Sequence, residues 1–302
     1  MAHKVIIDGT AYSVKSGKTL IDGTGYSIKK GRTLIGGTGY NISFGPDPVL
    51  NNNDWATISS YSSAGTASNY WAVGDCHAVT LSGTVGALTL SSYATYAYIL
   101  GFDHNSAKEG SNRIHFQFAK TALTSGTSVC FVDSYYSSTG GGFRMNTTNS
   151  NSGGWASSNM RTTLCGTSLS SYSGTFIGVL PVELRASLKS VTKYTDNTGN
   201  STAASAVTAT TDYIFLLTEY EVFGKAIYAN SAEASYQAQY SYYSAGNSKM
   251  KYKHSVTTTA ARWGLRSPAA SYSTYFVGVG TDGTVGISNA HYSYGFAPCF
   301  CV

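Results

Sequence analysis

The chain has 302 residues, enough for one large domain or two modest ones with real cores, and only 12% of them are charged. A net charge of +5 with scattered Lys and Arg gives no basic stripe and argues against nucleic-acid binding. Apolar content of 42% and 13% aromatics argue against disorder, while 24 Tyr and 33 Gly point to strands joined by hydrogen-bonding loops.

The N-terminus, MAHKVIIDG, has no apolar signal-peptide region, and no stretch approaches the roughly 18 apolar residues of a membrane span. Synthesis in a cytosol without Sec export, and no membrane insertion, are expected. The five cysteines, Cys76, Cys130, Cys165, Cys299 and Cys301, are odd in number and widely spaced, as suits buried thiols acting as small apolar groups. A Cys299-x-Cys301 metal pair is the alternative, but two further ligands are missing nearby.

Residues 1–45 repeat with a period of 14: Gly9, Gly23 and Gly37 correspond, as do Tyr12, Tyr26 and Tyr40, and Gly17, Gly31 and Gly45. Asp-Gly and Gly-Gly turns separate short β-branched segments, and an even period keeps each repeat's faces in register, which predicts a β-meander or β-spiral. Such a segment cannot bury enough surface alone, so we expect it to serve attachment or homo-oligomerisation, with a trimer favoured. Gly17-Lys18-Thr19 looks like the end of a P-loop, but Tyr12 stands where that motif requires glycine.

Gly45-Pro46-Asp47-Pro48 ends the repeats, and 46–302 is expected to be a second domain. Strands are predicted at YAYILGF and IHFQF, separated by the polar loop DHNSAKEGSNR. The Gly/Ser/Thr/Asn-rich span 121–173 is too long for an unstructured loop, so short strands packed by Tyr135, Tyr136, Phe143 and Trp155 are expected. Leu180, Leu184, Leu188 and Val191 form a helical stripe behind Pro181, which predicts a helix over 181–194 with Lys189 and Lys193 at its C-terminal end. A buried strand DYIFLL follows, then a short helix EYEVFG with Glu219 and Glu221 capping it, and a second helical piece over 231–246. Near the end, TYFVGVGTDGTVGI reads as a hairpin: Tyr275, Val277 and Val279 alternate, 281–283 turn, and Val285 and Ile287 return.

No catalytic constellation stands out. The literal GxGxxG at 278–283 is followed by a strand rather than a helix, so the hairpin reading displaces a dinucleotide site. Asp103-His104 sits in a turn-like polar loop, the histidines show no metal-ligand spacing, there is no GxSxG elbow, and Glu219 and Glu221 are too close in sequence for a glycosidase pair. Neither metal nor cofactor is expected.

Asp212 to Gly224, WGLRSP and the closing GFAP, together with NYWAVGD, YILGFDHNSAKEGSNRIHFQF and MNTTNSNSGGWASSNMR, resemble the C-terminal domain of tail and fibre proteins of phages and prophages of gut bacteria. That domain is related to the formylglycine-generating-enzyme branch of the C-type-lectin-like superfamily, and tandem repeats like those of 1–45 often precede it. The resemblance implies an α+β, β-rich fold: a C-type-lectin-like domain with few helices behind the β-repeats. It implies a structural lock of Trp263, Arg266 and Pro298 around the terminal hairpin. The usual close G-V-R-P is Gly295-Phe296-Ala297-Pro298 here, so its arginine is missing, and no EPN or WND calcium triplet is present.

Proteins of this fold include variable targets of diversity-generating retroelements, with changes concentrated near the C-terminus. The matching positions here are Ser271, Tyr272, Ser273, Tyr275, Asn289, His291, Tyr292 and Tyr294. Tyr gives large contact area at small entropic cost and Ser and Asn adapt their hydrogen bonds, which suits a recognition surface. The alternative is that Tyr and Ser are simply the strand and loop residues this chain uses throughout. The expected function is therefore a non-enzymatic virion tail protein recognising a bacterial surface glycan or protein and joined to other tail proteins. The alternatives are a purely structural tail component and a surface-polysaccharide hydrolase.

Overall fold

The computed structural model describes residues 45–302 and, before them, the backbone of six strands. These pair as antiparallel hairpins: Lys4–Ile7 (β1) with Thr10–Ser13 (β2), Gly17–Ile21 (β3) with Thr24–Ile28 (β4), and Lys30–Ile35 (β5) with Thr38–Ser43 (β6). Each closes across two residues, Ile7 facing Thr10, Ile21 facing Thr24 and Ile35 facing Thr38. The faces presented by the Tyr12, Tyr26 and Tyr40 side chains lie outside the described residues, as does any packing of one repeat on another.

Five strands make the main sheet. Cys76–Val85 (β7) and Leu88–Phe102 (β8) form a long hairpin, Ile114–Lys120 (β9) pairs with β8, and the order is completed by two short strands met far later in the chain. The polar connection between β8 and β9 carries the short helix Ser106–Glu109 (α2). Strand β9 is buried along both faces, which explains its run of Ile114, Phe116 and Phe118 interleaved with His115 and Gln117. Trp55, on the helix Trp55–Ser63 (α1), packs edge-on to Phe116 at 5.5 Å. Asp54 caps that helix by accepting from the Thr57 N–H at 2.7 Å, and Trp55, Ile58 and Ser62 face inward at helical spacing.

Val129–Cys130 (β10) begins a region of short strands and loops in which Phe143 and Trp155 are buried. The helix predicted over 181–194 is shorter than its apolar stripe suggested. After Phe176–Val179 (α3), helix α4 runs only over Val182–Ser187, Leu188 turns extended, and Val191–Asp196 is a strand (β11). In β11 the inward positions are Val191, Lys193 and Thr195, a period of two rather than 3.6. Its partner is the Thr-rich strand Val207–Asp212 (β12), and that pairing outweighs the helical pattern. Lys193 is thereby buried instead of solvating a helix end. The strand Ile214–Phe215 (β13) and helix Glu219–Phe223 (α5) follow as expected, the latter with a complete capping box between Thr218 and Glu221. The helical piece expected over 231–246 is broken into a 3₁₀ turn, Ser231–Ser235, and a single turn of helix, Ser241–Ser244 (α6). Glu233, Tyr240, Tyr242 and Tyr243 are all buried, so this segment follows the core surface rather than a helix axis.

Lys251–Lys253 (β14) lies between β10 and Val256–Ala261 (β15) in a three-stranded sheet. A second three-stranded sheet holds Trp263–Pro268 (β16), Tyr275–Val279 (β17) and Val285–Asn289 (β18) in that order. The terminal hairpin is thus in place, Val279 facing Val285 and Tyr275 facing Asn289, with Gly283 supplying φ +82° in the turn. The dinucleotide-like motif is this turn.

The last strand, Cys299–Cys301 (β19), enters the main sheet between β9 and β13, with Phe300 opposite Phe116 on one side and Ile214 on the other. Phe300 stacks on Phe116 at 5.1 Å. The Val302 carbonyl accepts from the Ile114 N–H and the Ser62 hydroxyl, so the C-terminal residues are part of the core. The whole is α+β and β-rich, 21% helix and 34% strand.

Candidate functional site

Two groups of residues compete for the role of functional site, one buried and charged, the other exposed and neutral. The buried group centres on Lys193. Its ammonium donates to Glu109 Oε2 at 2.6 Å, Glu221 Oε1 at 3.0 Å and Tyr240 Oη at 2.9 Å. Arg266 grips Glu221 with both terminal nitrogens, at 2.7 and 3.0 Å, and donates from Nε to Thr195 Oγ1. Burial alone would raise the Glu221 carboxyl, but Arg266 and Lys193 outweigh it and hold it well below the usual carboxylate range. His104 stacks on Tyr240 at 3.6 Å, and His115 Nδ1 lies 2.9 Å from Tyr240 Oη.

The donor atoms of His104, Glu109 and Glu221 lie within 4.8 Å of one another, a spacing that could hold a cation. The Lys193 ammonium already bonds both of those carboxylates, so an organic cation holds that position. Nearby, Glu219 accepts from the N–H groups of 227, 228 and 229, and Glu233 from the Asp196 N–H and the Ser267 hydroxyl. Lys193, Glu219, Glu221, Glu233 and Arg266 are all buried. This network stitches β11, α5, β16 and the 231–240 segment together.

The exposed group is the pair of Tyr/Ser segments. They leave the same end of the β17–β18 hairpin, and Ala290 N–H donates to Thr274 O at 2.9 Å, so the eight sequence-predicted positions come together. Ser271, Tyr272 and Ser273 are exposed, with Tyr272 at 49%. Tyr275, Asn289, His291, Tyr292 and Tyr294 are half-buried. Tyr272 meets Tyr275 edge-on at 5.8 Å, His291 meets Tyr292 at 4.9 Å, and Tyr292 lies 6.3 Å from Tyr294. A third segment joins them: Tyr136 bridges to Ser293 and Thr139 to Tyr292, and the Phe143 N–H donates to Ser293 Oγ at 2.9 Å.

The sequence reading missed the residue that fixes the first segment. Asn151, 1% exposed, donates from its side-chain amide to the carbonyls of Ala269 (3.2 Å), Tyr272 (2.8 Å) and Tyr275 (2.9 Å), while its own N–H donates to Ser273 O. Nothing in the run Asn149-Ser150-Asn151-Ser152 distinguishes this asparagine from its neighbours, because its partners lie more than a hundred residues away. Trp263 and Arg266 are fully buried on β16, edge to edge with the hairpin, with the Trp263 indole donating to Lys249 O at 2.9 Å. Pro298 is buried too, its carbonyl accepting from Phe118 N–H. Arg266 has Glu221 as its partner.

Chemically, this face offers aromatic rings, hydroxyls, an amide and the His291 imidazole.

Residues 127–302 match a family described as a domain of unknown function (DUF6273), and the chain belongs to that family. No curated protein and no solved structure matches the chain. The matched region starts just before β10 and includes β13 and β19, whereas β7, β8 and β9, which complete the main sheet, precede it.

Proposed function

We propose that this chain is a non-enzymatic recognition protein of a phage or prophage tail or fibre, binding a bacterial surface glycan or protein through its 271–275 and 289–294 segments. The observation that carries this reading is the combination of the exposed Ser271, Tyr272 and Ser273 side chains with a backbone bonded from beneath by buried Asn151. A surface that pre-orders its loops loses less entropy when it binds. Burial and internal pairing of the Lys193-centred carboxylates speak against the hydrolase alternative.

The fold of 46–302 is read as C-type-lectin-like, supported by the terminal hairpin sheet carrying the loops and by the C-terminal strand returning to the main sheet. The repeats of 1–45 would assemble the chain, as a trimer, and attach it to other virion proteins, turning weak single contacts into avidity. The test is adsorption of the purified full chain to gut bacterial isolates. Binding to at least one isolate, lost when Tyr272, Tyr292 and Tyr294 are replaced by Ala with the fold intact, supports the reading. Failure to bind any isolate favours a purely structural tail component.

A further inference from the structure

Beside the Tyr/Ser face lies a recess of about 380 Å³, within the roughly 300–1,000 Å³ of ligand pockets. Its lining includes Thr147, Thr148, Ser152, Ser157, Asn159 and Thr162, and no charged or aromatic side chain takes part. We propose that this recess is a subsite for a neutral oligosaccharide, continuous with the face and resting on the recognition reading above.

The recess is tied to both Tyr/Ser segments. Asn146 N–H donates to Ala290 O at 2.9 Å, and Asn151 N–H donates to Ser273 O at 2.8 Å. Its walls are held from behind. The Asn146 side chain donates to Ser150 O at 2.7 Å and accepts from the Asn159 N–H at 3.1 Å. Below, Trp155 and Arg161 both bond Asp212, at 3.0 and 2.6 Å. Gly154 has φ +52° and approaches so closely that a Cβ there would lie 2.0 Å from Asp196 O. Met160–Cys165, which carries Thr162, is π-helical, a wide turn in which Gly166 N–H reaches Arg161 O.

Against this fixed frame, the side chains of Thr147, Thr148, Ser152, Ser157 and Asn159 have no protein hydrogen-bond partner among the described residues. Their chemistry selects the ligand. An anion would call for a free cation, but the nearby Arg161 is spent on Asp212, Ala156 O and Thr211 O. A cation would call for a carboxylate, and an apolar ligand for an apolar wall; the lining has neither. Hydroxyls that both donate and accept, with a carboxamide among them, match the alternating donors and acceptors of sugar hydroxyls. The exposed Tyr272 ring adds an amphipathic surface for the C–H face of a sugar.

The test uses the full chain, with maltoheptaose, chitohexaose and mannohexaose as neutral probes and an oligogalacturonate as the anionic control, followed by saturation-transfer NMR. The expected result is millimolar or tighter binding of at least one neutral probe, unchanged between low and high salt. The double variant Thr147→Val, Asn159→Ala should weaken it by at least about tenfold without moving the melting temperature. Among the described residues neither side chain has a protein partner to lose. The inference is overturned if no neutral probe binds, if only the anionic one does, or if the double variant binds as the wild type does. Whole-cell adsorption separates the two ideas. A double variant that adsorbs like the wild type overturns the subsite and leaves the recognition face standing. A protein that binds a neutral probe through the recess but adsorbs to no cell supports the subsite and sinks the recognition reading.

Discussion

The carboxamide of Asn151 donates to the backbone carbonyl of Tyr272 at 2.8 Å, so the segment carrying an exposed ring is held by a buried polar side chain. The same amide reaches the carbonyls of Ala269 and Tyr275, closing the 269–275 loop into one conformation. Asn151→Ala removes these donors and should cost about 1–3 kcal/mol, the range for stranding buried polar groups. Asn151→Asp should cost more, because it faces three carbonyls with negative charge. Hydrogen exchange of the 269–275 amides, accelerated in both variants, is the direct readout. Unchanged exchange there would mean that the loop is held by something else.

Glu221 is the hinge of the buried network, since it caps α5 and is shared by Lys193 and Arg266. Glu221→Gln leaves two buried cations short of an anion and should destabilise the fold by about 3–5 kcal/mol in urea. A loss below about 1 kcal/mol, the range of exposed pairs, would show that the network contributes little.

Burial pushes the Glu233 carboxyl up to about 7, despite hydrogen bonds from the Asp196 N–H and Ser267 and the nearby Arg266. The folded chain therefore keeps a proton that the unfolded chain has released above the ordinary value of 4.5. The stability this proton supplies is complete below that ordinary value and is lost as pH rises through about 7. His104 works in the opposite sense. Burial and then Lys193 lower it to about 3, so its contribution is present above 6.5 and lost as pH falls toward 3. Melting curves of the wild type and Glu233→Gln across the neutral range should show the wild type losing ground to the variant as pH rises. A gap independent of pH would contradict the assignment.

All five thiols are buried, and burial pushes Cys130 and Cys301 up to about 12. Thiolate is the reacting form, so the native protein should be inert to a disulfide reagent at neutral pH and titrate five thiols once unfolded. Cys76, whose thiol also rises through burial but which retains 6% exposure, should react first on mild loosening. Rapid native labelling of Cys299 or Cys301 would mean that the last strand leaves the sheet.

Local patterns in the sequence were good guides wherever the structure is also local. The 275–289 hairpin follows from alternation around Asp282-Gly283, and α5 from Glu219 and Glu221 at its start. The helix over 181–194 failed because Lys193 looks like a solvated helix end until Glu109 and Glu221 are brought to it from residues 84 and 28 positions away. Asn151 was illegible for the same reason: its partners are carbonyls 118 to 124 residues downstream, and carbonyls carry no sequence signature. The nearness of the eight positions proposed for the face was legible because they lie on or beside one hairpin. The recess beside them was not, since it forms from a loop and a π-helical turn that bonds across the chain hold together.

The central claim is that the Tyr/Ser face recognises a bacterial surface. Its most direct measurement is adsorption of the labelled full chain to a collection of gut bacterial isolates, run beside the Tyr272→Ala, Tyr292→Ala, Tyr294→Ala triple variant. Folding of the variant is checked by circular dichroism. Saturable binding to at least one isolate by the wild type, reduced at least about tenfold in the folded variant, is the expected result. Equal adsorption by the two proteins would contradict it.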